Sequence, residues 1–343
     1  MNLTDTRYNS FALVREMLET PDIIAGYDFG TAKEIAEAVK KTGKIFLTGE
    51  GSSRIFPAKS FIAELRRAPK NAAANITAAT EGSRQAMEYD LSAWAVAVAS
   101  NSGQTAEAVP LLLKLKDEKH PYRFAVTANP EAKLLEYATS GIVLSCGKEK
   151  AVAATKSVVE QALVYRSILA QLTACRFPTS AKQAGEAAKQ VLDAEYGADL
   201  IKQFANAGQI YFAGRNDGVA EELSLKTIEI TRKRSSYFEG TYLLHGVEEM
   251  IGTNDVLVLI EPFETEWQRI KERYVDALKI PVLAVASEST IFPTIVIPKV
   301  SGYDTILQLL AGWNFLVQIG VACNINIDKP LRARKIGNEY VGR

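Results

Sequence analysis

The sequence predicts an α/β protein made of two doubly wound parallel sheets, one copy of the fold following the other. Short apolar runs alternate with longer helical patterns along the whole chain, as stacked strand–helix units do. The runs are nearly continuous, which suits parallel strands covered on both faces. Their order and lengths also repeat. Runs at 45–48, 93–99, 124–127 and 142–145 are matched by runs at 210–213, 256–260, 282–285 and 294–297, at offsets of about 165, 163, 158 and 152 residues. Short loop deletions would produce such a slow drift between the halves of a duplicated domain.

In chain order, residues 10–20 and 30–41 carry apolar positions at helical spacing ahead of the first strand. The four runs of the first copy follow, and residues 156–175 are apolar enough for a well buried helix. The join is expected between residues 177 and 189, in the stretch PTSAKQAG, dividing the chain into a first domain, 1–180, and a second, 181–343. The second copy ends in residues 303–322, a helix apolar enough for a core or an oligomer interface, of which an interface between subunits is the expectation.

Composition narrows the function classes. With 343 residues, 47% hydrophobic and 23% charged, the chain can bury two cores and is not a disordered protein. Its 40 Lys+Arg balance 40 Asp+Glu, and no basic run exceeds Arg232-Lys233-Arg234, so no nucleic-acid partner is expected. No stretch of about 20 uninterrupted apolar residues occurs and the start MNLTDTRYNSF lacks a signal-peptide core, so neither a membrane span nor export is expected, and the cytoplasm is. Cys146, Cys175 and Cys323 are too few and too far apart for a disulfide framework or a metal cluster, and are expected to be small buried residues. Two histidines, His120 and His245, exclude a multi-histidine metal site, and no metal is expected. His120, in DEKHPY, is expected in a solvated turn.

Ligands of open parallel sheets bind at the carboxyl ends of the strands, so the loops there matter most. After the first run comes Gly49-Glu50-Gly51-Ser52-Ser53. After the second comes Ser100-Asn101-Ser102-Gly103-Gln104-Thr105, ahead of a helix expected to begin at Ala106-Glu107. Hydroxyls and backbone N–H groups at a helix N-terminus, with the positive end of its dipole behind them, suit a phosphate. Helix capping alone would use the same residues. At the equivalent places the second copy has Gly214-Arg215-Asn216-Asp217-Gly218 and Glu261-Pro262-Phe263-Glu264-Thr265, where the hydroxyl-rich cradle is lost and acidic groups stand in its place. The contrast favours one phosphate site, built by the first copy. No P-loop lysine follows and the dinucleotide fingerprint is incomplete, which disfavours ATP and NAD.

The ionisable candidates lie elsewhere. Residues 221–233 read as a helix on which Lys226 and Glu229, three apart, share a face, an arrangement equally open to a plain ion pair. His245, in Leu-Leu-His-Gly-Val, follows sixteen residues after Glu229, and Lys335 stands near the C-terminus in LRARKIGNEY.

Together these residues resemble the SIS (sugar isomerase) domain proteins, in particular the isomerase part of glucosamine-6-phosphate synthase and its deaminase and deglycase relatives. The resemblance runs from about residue 30 to Lys335. It rests on the strand-one loop ending in Ser53, with Gly51 and Ser52, and on the S-x-S-G-[EQ]-T loop with Ser100, Asn101, Ser102 and Thr105. A V-A-[SA]-T-K segment with Val152 and Ala154, the K-x-x-E helix with Lys226 and Glu229, His245-Gly246, and a D-x-P-x-x-x-x-K stretch with Asp328, Pro330 and Lys335 complete it.

The resemblance implies two tandem SIS domains, each a flavodoxin-like three-layer α/β/α fold, and an enzyme acting on a phosphorylated sugar. It implies that Ser53, Ser100, Asn101, Ser102 and Thr105 bind the phosphate, while Gly51, Ser52, Val152 and Ala154 line the pocket. Glu229 would move a proton between C1 and C2, His245 would assist ring opening, Lys335 would form a Schiff base with a ketose carbonyl, and Lys226 would stabilise enolate charge. The Schiff base removes the need for any metal or organic cofactor. In relatives the histidine comes from the neighbouring subunit, so a homodimer sharing His245 is implied.

The sequence departs from the synthase in starting Met1-Asn2, so no glutaminase domain is expected, in Glu50 and Gln104 within the two loops, and in the tail after Lys335. The expected reaction is conversion of glucosamine 6-phosphate to fructose 6-phosphate and ammonia. Deglycation of a phosphorylated fructosamine is the enzymatic alternative, and a phosphosugar sensor without catalysis the non-enzymatic one.

Overall fold

The computed structural model describes residues 1–68, 75–173, 176–332 and 339–340. In the first copy, helices α1 (Ala12–Leu18) and α2 (Lys33–Thr42) precede strand β1 (Lys44–Gly49) and helix α3 (Ile55–Arg67). Then come β2 (Thr77–Gly82), β3 (Ala95–Ala99), helix α4 (Ala108–Asp117), β4 (Arg123–Thr127), β5 (Ser140–Val143) and helix α5 (Lys156–Leu172). The second copy runs through helices α6 (Phe177–Asp193) and α7 (Ala198–Asn206), strand β6 (Gln209–Gly214), helix α8 (Val219–Thr231), strands β7 (Arg234–Glu239), β8 (Val256–Ile260), β9 (Val282–Ala286) and β10 (Thr294–Val296), and helix α9 (Asp304–Ala322).

Each copy forms a five-stranded parallel sheet, ordered β2-β1-β3-β4-β5 in the first and β7-β6-β8-β9-β10 in the second. Both are the flavodoxin-like order, with the strand sequence reversing direction beside β1 and beside β6. The identical order is the structural trace of the duplication. The eight expected strands are present within two residues of their expected limits. β2 and β7 were not anticipated, and composition explains why. Both are edge strands with half-open faces, and TAATEG and RSSYFE contain no apolar run to mark them.

The contacts divide the chain into two units. One contains residues 22–150 and 154–182 with the tail residues 339–340, and the other contains residues 1–21, 151–153 and 183–332. The boundary falls inside α6 rather than in a linker. Pro178 is tolerated there because it sits in the first turn of the helix, where its missing N–H has no partner to lose. Residues 1–21 belong with the second sheet, although the sequence places them in a first domain of 1–180. Several contacts hold them. The Met1 ammonium donates to Leu192 O at 2.6 Å. The Asp328 carboxylate accepts from Ala12 N at 2.9 Å and Leu13 N at 2.8 Å, capping α1, whose own N-cap residue, Phe11, offers no side-chain acceptor. Replacing Asp328 by Ala should destabilise the full-length chain by about 1 kcal/mol in urea unfolding, and Asp328→Asn, which keeps one acceptor, by less.

Helix α9 is buried from Thr305 to Gly320 within its own unit, against α7 and α8, which corrects the expectation of a subunit interface. Phe315 meets Phe204 edge-on at 4.9 Å, and Asn314 Nδ2 donates to Val191 O at 2.9 Å and Ala194 O at 2.8 Å. The helix is long and apolar enough to cross a membrane, but that is also the composition of a core helix covered on all sides.

His120 likewise departs from expectation. It is buried, its Nδ1 accepts from Tyr122 N at 3.2 Å, and its Nε2 therefore donates to Leu91 O at 2.9 Å, tying the start of β4 to the turn before β3. Cys146 and Cys323 are half-exposed rather than buried, and Cys175 lies outside the described residues. Burial still pushes the Cys146 thiol well above its ordinary pKa, and the charge of Glu160 adds to the effect, so it is not a reactive thiolate.

Candidate functional site

In the first sheet the order reverses between β1 and β3, and their carboxyl ends meet where Gly49 lies opposite Ala99. A Cβ on Gly49 would fall 2.6 Å from Ala99 O, so only glycine lets the two loops diverge from that point. Gly51, at φ +52°, then turns the chain through a single tight turn, Gly51–Ser53, which leads into α3. The Ser53 hydroxyl faces Gln161 Nε2 of α5 at 3.4 Å.

The loop after β3 is gathered around its own hydroxyls. Ser100 Oγ and Thr105 Oγ1 are 2.7 Å apart, Gly103 N donates to Ser100 Oγ at 3.0 Å, and Gln104 N to Ser102 Oγ at 3.2 Å. Gly103, at φ +63°, cannot be replaced, since a Cβ there would lie 2.2 Å from Ala132 Cβ and 2.7 Å from Thr127 Oγ1. The end of β4 clamps the loop from below. Ala128 N and Thr127 Oγ1 both donate to Asn101 O, at 3.0 and 3.2 Å, and Asn129 Nδ2 donates to Ser102 O at 3.1 Å. Helix α4 starts at Ala108, two residues later than expected, with its positive end behind this loop.

The Asn101 side chain donates to Glu149 Oε2 at 2.8 Å. Of the V-A-A-T-K segment, Ala153 and Thr155 are buried, while the two expected pocket residues, Val152 and Ala154, are half-exposed. Glu50 is half-buried beside the loops, near Arg84 N at 3.4 Å. Burial raises its pKa above the usual carboxylate range and the charge of Glu107 adds to this, against the pull of the Arg84 and Ser83 amides. The tail returns to the same loop, with Glu339 bridged antiparallel to Thr105 and Tyr340 N donating to Gln104 O at 2.7 Å. Lys335 lies outside the described residues. Neither Glu149 nor the tail contact was anticipated. The acidic residue six positions before Thr155 was the available signal for the first, and nothing local marks the second.

In the other unit, Lys226 and Glu229 face each other as their spacing predicts, at 2.7 Å on α8. A third group joins them. Glu222, one turn earlier, approaches the same ammonium at 3.3 Å. Lys226 and Glu222 have no exposed side-chain surface and Glu229 has 26%, so Glu229 is the member of the trio that solvent reaches. Burial is the largest influence on Lys226 and acts to lower its pKa, but the two carboxylates together outweigh it and hold the pKa above its ordinary value. His245 is exposed after the single turn Tyr242–Leu244, and Gly246 takes φ +86° to let the chain turn away.

The equivalent point of the second sheet is sealed by its own side chains. The Arg215 guanidinium lies 4.0 Å over the Phe263 ring, and its Nε donates to Glu261 O at 3.3 Å. The Glu261 carboxylate accepts from Ser287 N, Ser287 Oγ and Gln308 Nε2 at 3.0, 2.9 and 3.0 Å. The cavity left there is about 20 Å³, room for about one water.

No family model matches the chain. A curated relative, the isomerizing glutamine–fructose-6-phosphate aminotransferase of Wigglesworthia glossinidia brevipalpis, is 22% identical over 264 residues, covering 69% of this chain and 42% of the relative, so the chain spans less than half of that protein. Among solved structures, the C-terminal domain of glucosamine-fructose-6-phosphate aminotransferase from Francisella tularensis superposes with a TM-score of 0.68 at 17% identity, over 91% of this chain and 96% of that one. Glucosamine-6-phosphate deaminase from Thermotoga maritima does so with 0.65 at 16% identity, over 94% and 98%. The chain shares the tandem fold of SIS-domain proteins. In fold it is similar to the C-terminal domain of the aminotransferase.

Proposed function

We propose that the chain is an aldose–ketose-type enzyme acting on a phosphorylated amino sugar, and that it converts glucosamine 6-phosphate and water to fructose 6-phosphate and ammonia. One observation carries the reading. The first sheet sets the Ser100 and Thr105 hydroxyls 2.7 Å apart, in a loop that also carries Ser102 and leads to a helix N-terminus, at its switch point, whereas the second closes the equivalent point with its own side chains. The resemblance of the motifs and of the fold supports the same class.

In this reading the Ser53, Ser100, Ser102 and Thr105 hydroxyls hold the phosphate. Glu229 takes the proton from C2 of the open-chain sugar and returns it to C1. The C2 amine becomes an imine, the Lys335 amine adds to it and expels ammonia, and water hydrolyses the resulting Schiff base to the ketose and the free lysine. His245 opens the ring, and Lys335 keeps the Schiff-base role its motif implies. Lys226, wholly buried, acts through Glu229 by fixing the orientation of its carboxylate. A second copy of the chain would cover the exposed loop around His245, where Tyr242 and Met250 are 59% and 54% exposed.

Ammonia and fructose 6-phosphate should appear together, one for one, when the purified chain is given glucosamine 6-phosphate. Turnover confined to a phosphorylated fructosamine would replace the deaminase by a deglycase. Thermal stabilisation by both sugars without turnover of either would make the chain a sensor.

A further inference from the structure

The carboxylate of Glu149 is the junction between the hydroxyl loop and helix α5. Glu149 is 5% exposed. Its Oε2 accepts from Asn101 Nδ2 at 2.8 Å and from Ser157 Oγ at 2.7 Å. Its Oε1 accepts from Thr155 N at 2.7 Å, from Thr155 Oγ1 at 3.3 Å and from Ser157 N at 3.4 Å. Thr155, the N-cap residue of α5, makes no cap with its own side chain, so Glu149 caps that helix from six residues upstream. The same carboxylate is the third anchor of Asn101, whose carbonyl is already held by Thr127 and Ala128. Asn101 lies between Ser100 and Ser102, so whatever fixes it fixes both hydroxyls.

We propose that Glu149 is a positioning residue for the anion site. It takes the Asn101 amide and the first N–H groups of α5 on one buried charge, and this holds the loop in the conformation that brings the Ser100, Ser102 and Thr105 hydroxyls together. The inference rests on the loop being a sugar-phosphate site, but the brace can be tested separately. The residue type follows from the partners. Every group on the carboxylate is a donor, and an ionised carboxylate is the side chain that accepts only. Gln retains one acceptor for the two backbone N–H groups. The Ser157 hydroxyl can rotate and the Asn101 amide can flip to receive its NH₂. Ala leaves buried donors unpaired.

The experiment uses the full chain with glucosamine 6-phosphate as substrate and inorganic phosphate as competing ligand. Glu149→Ala should raise both KM and the phosphate inhibition constant about tenfold, with kcat within about threefold of the parent. Glu149→Gln should recover most of that loss. Asn101→Ala, which leaves the cap of α5 intact, should raise KM by the same factor as Glu149→Ala, and the double variant by no more than either single one.

A fall in kcat at unchanged KM, or additive effects in the double variant, would overturn the proposal. Backbone amide exchange over residues 100–105 without ligand is read in parallel and should quicken in both single variants. Unchanged exchange sinks the brace whatever the kinetics. Quickened exchange in a chain whose wild type neither turns over nor binds phosphate sinks the proposed function and leaves the brace standing.

Discussion

Glu229→Gln should lower kcat by about 10²- to 10⁴-fold while changing KM little, the size general-base catalysis contributes. The substitution is nearly isosteric and removes the proton acceptor. The geometry makes it a clean experiment. Glu229 is the partly exposed member of its trio, and its neighbour Lys226 retains Glu222 as a second carboxylate partner, so the fold keeps a paired buried ammonium in the variant. A loss of kcat should therefore be accompanied by a small change in unfolding midpoint. If the variant keeps activity within about tenfold of the parent, Glu229 is not the base. If it loses activity together with cooperative unfolding, the pair is structural. Isotope exchange from solvent into C1 of the product should vanish in step with kcat, because the same carboxylate carries the proton between the two carbons.

The pairing behind this prediction was legible in the sequence as a local rule, whereas the role of Glu229 as base is what the resemblance implies. Strands buried on both faces leave apolar runs, which is why β1, β3, β4 and β6, β8, β9 stand out. The i, i+3 spacing of Lys226 and Glu229 is a helix-face rule, and the structure places the two 2.7 Å apart. What escaped notice depends on tertiary context. β2 and β7 are strands only because β1 and β6 offer them a free edge. His120 looks like a turn residue in DEKHPY and is buried because the chain before β3 folds over it and supplies the Leu91 carbonyl. The apolar pattern of α9 is the same whether its cover is another subunit or the α7 and α8 helices of its own unit, so periodicity could not decide between them. Glu149 and Glu222 were passed over for a related reason. An acidic residue is ordinarily a surface residue, and its meaning changes only when five donors or one ammonium are brought to it in the interior.

The duplication itself explains the contrast between the two switch points. Both sheets inherit the reversal of strand order that opens a crevice, and a crevice not used for a ligand has to be filled. In the second copy Arg215 lies on Phe263, and the Glu261 carboxylate accepts from Ser287 and Gln308, so the Arg215 and Glu261 side chains are engaged within the chain.

Lys226→Met should destabilise the chain by about 3–5 kcal/mol, the cost of leaving a buried carboxylate without its counter-charge. Glu222 has no exposed surface and shares the lysine with Glu229, so it must either stay charged in the interior or take up a proton. The double variant Lys226→Met with Glu222→Leu removes both buried charges and should return most of the stability, because apolar packing replaces an ion pair at little net loss. It should not return activity, since Glu229 would then have no ammonium to hold its carboxylate. That split between recovered folding and unrecovered kcat separates a positioning role for Lys226 from a structural one. Recovery of both would leave the lysine structural. The pH dependence of the parent has a definite sign. The pKa of Lys226 is higher in the folded chain than the ordinary 10.5, so its stabilising contribution is complete below about pH 10 and declines as the pH rises through the folded value. The stability difference between the parent and the double variant, which lacks both buried charges, followed in urea from pH 7 to pH 11, should therefore hold steady to about pH 10 and shift against the parent only above it. A difference that shifted near neutrality would show that the ammonium is not held by the two carboxylates.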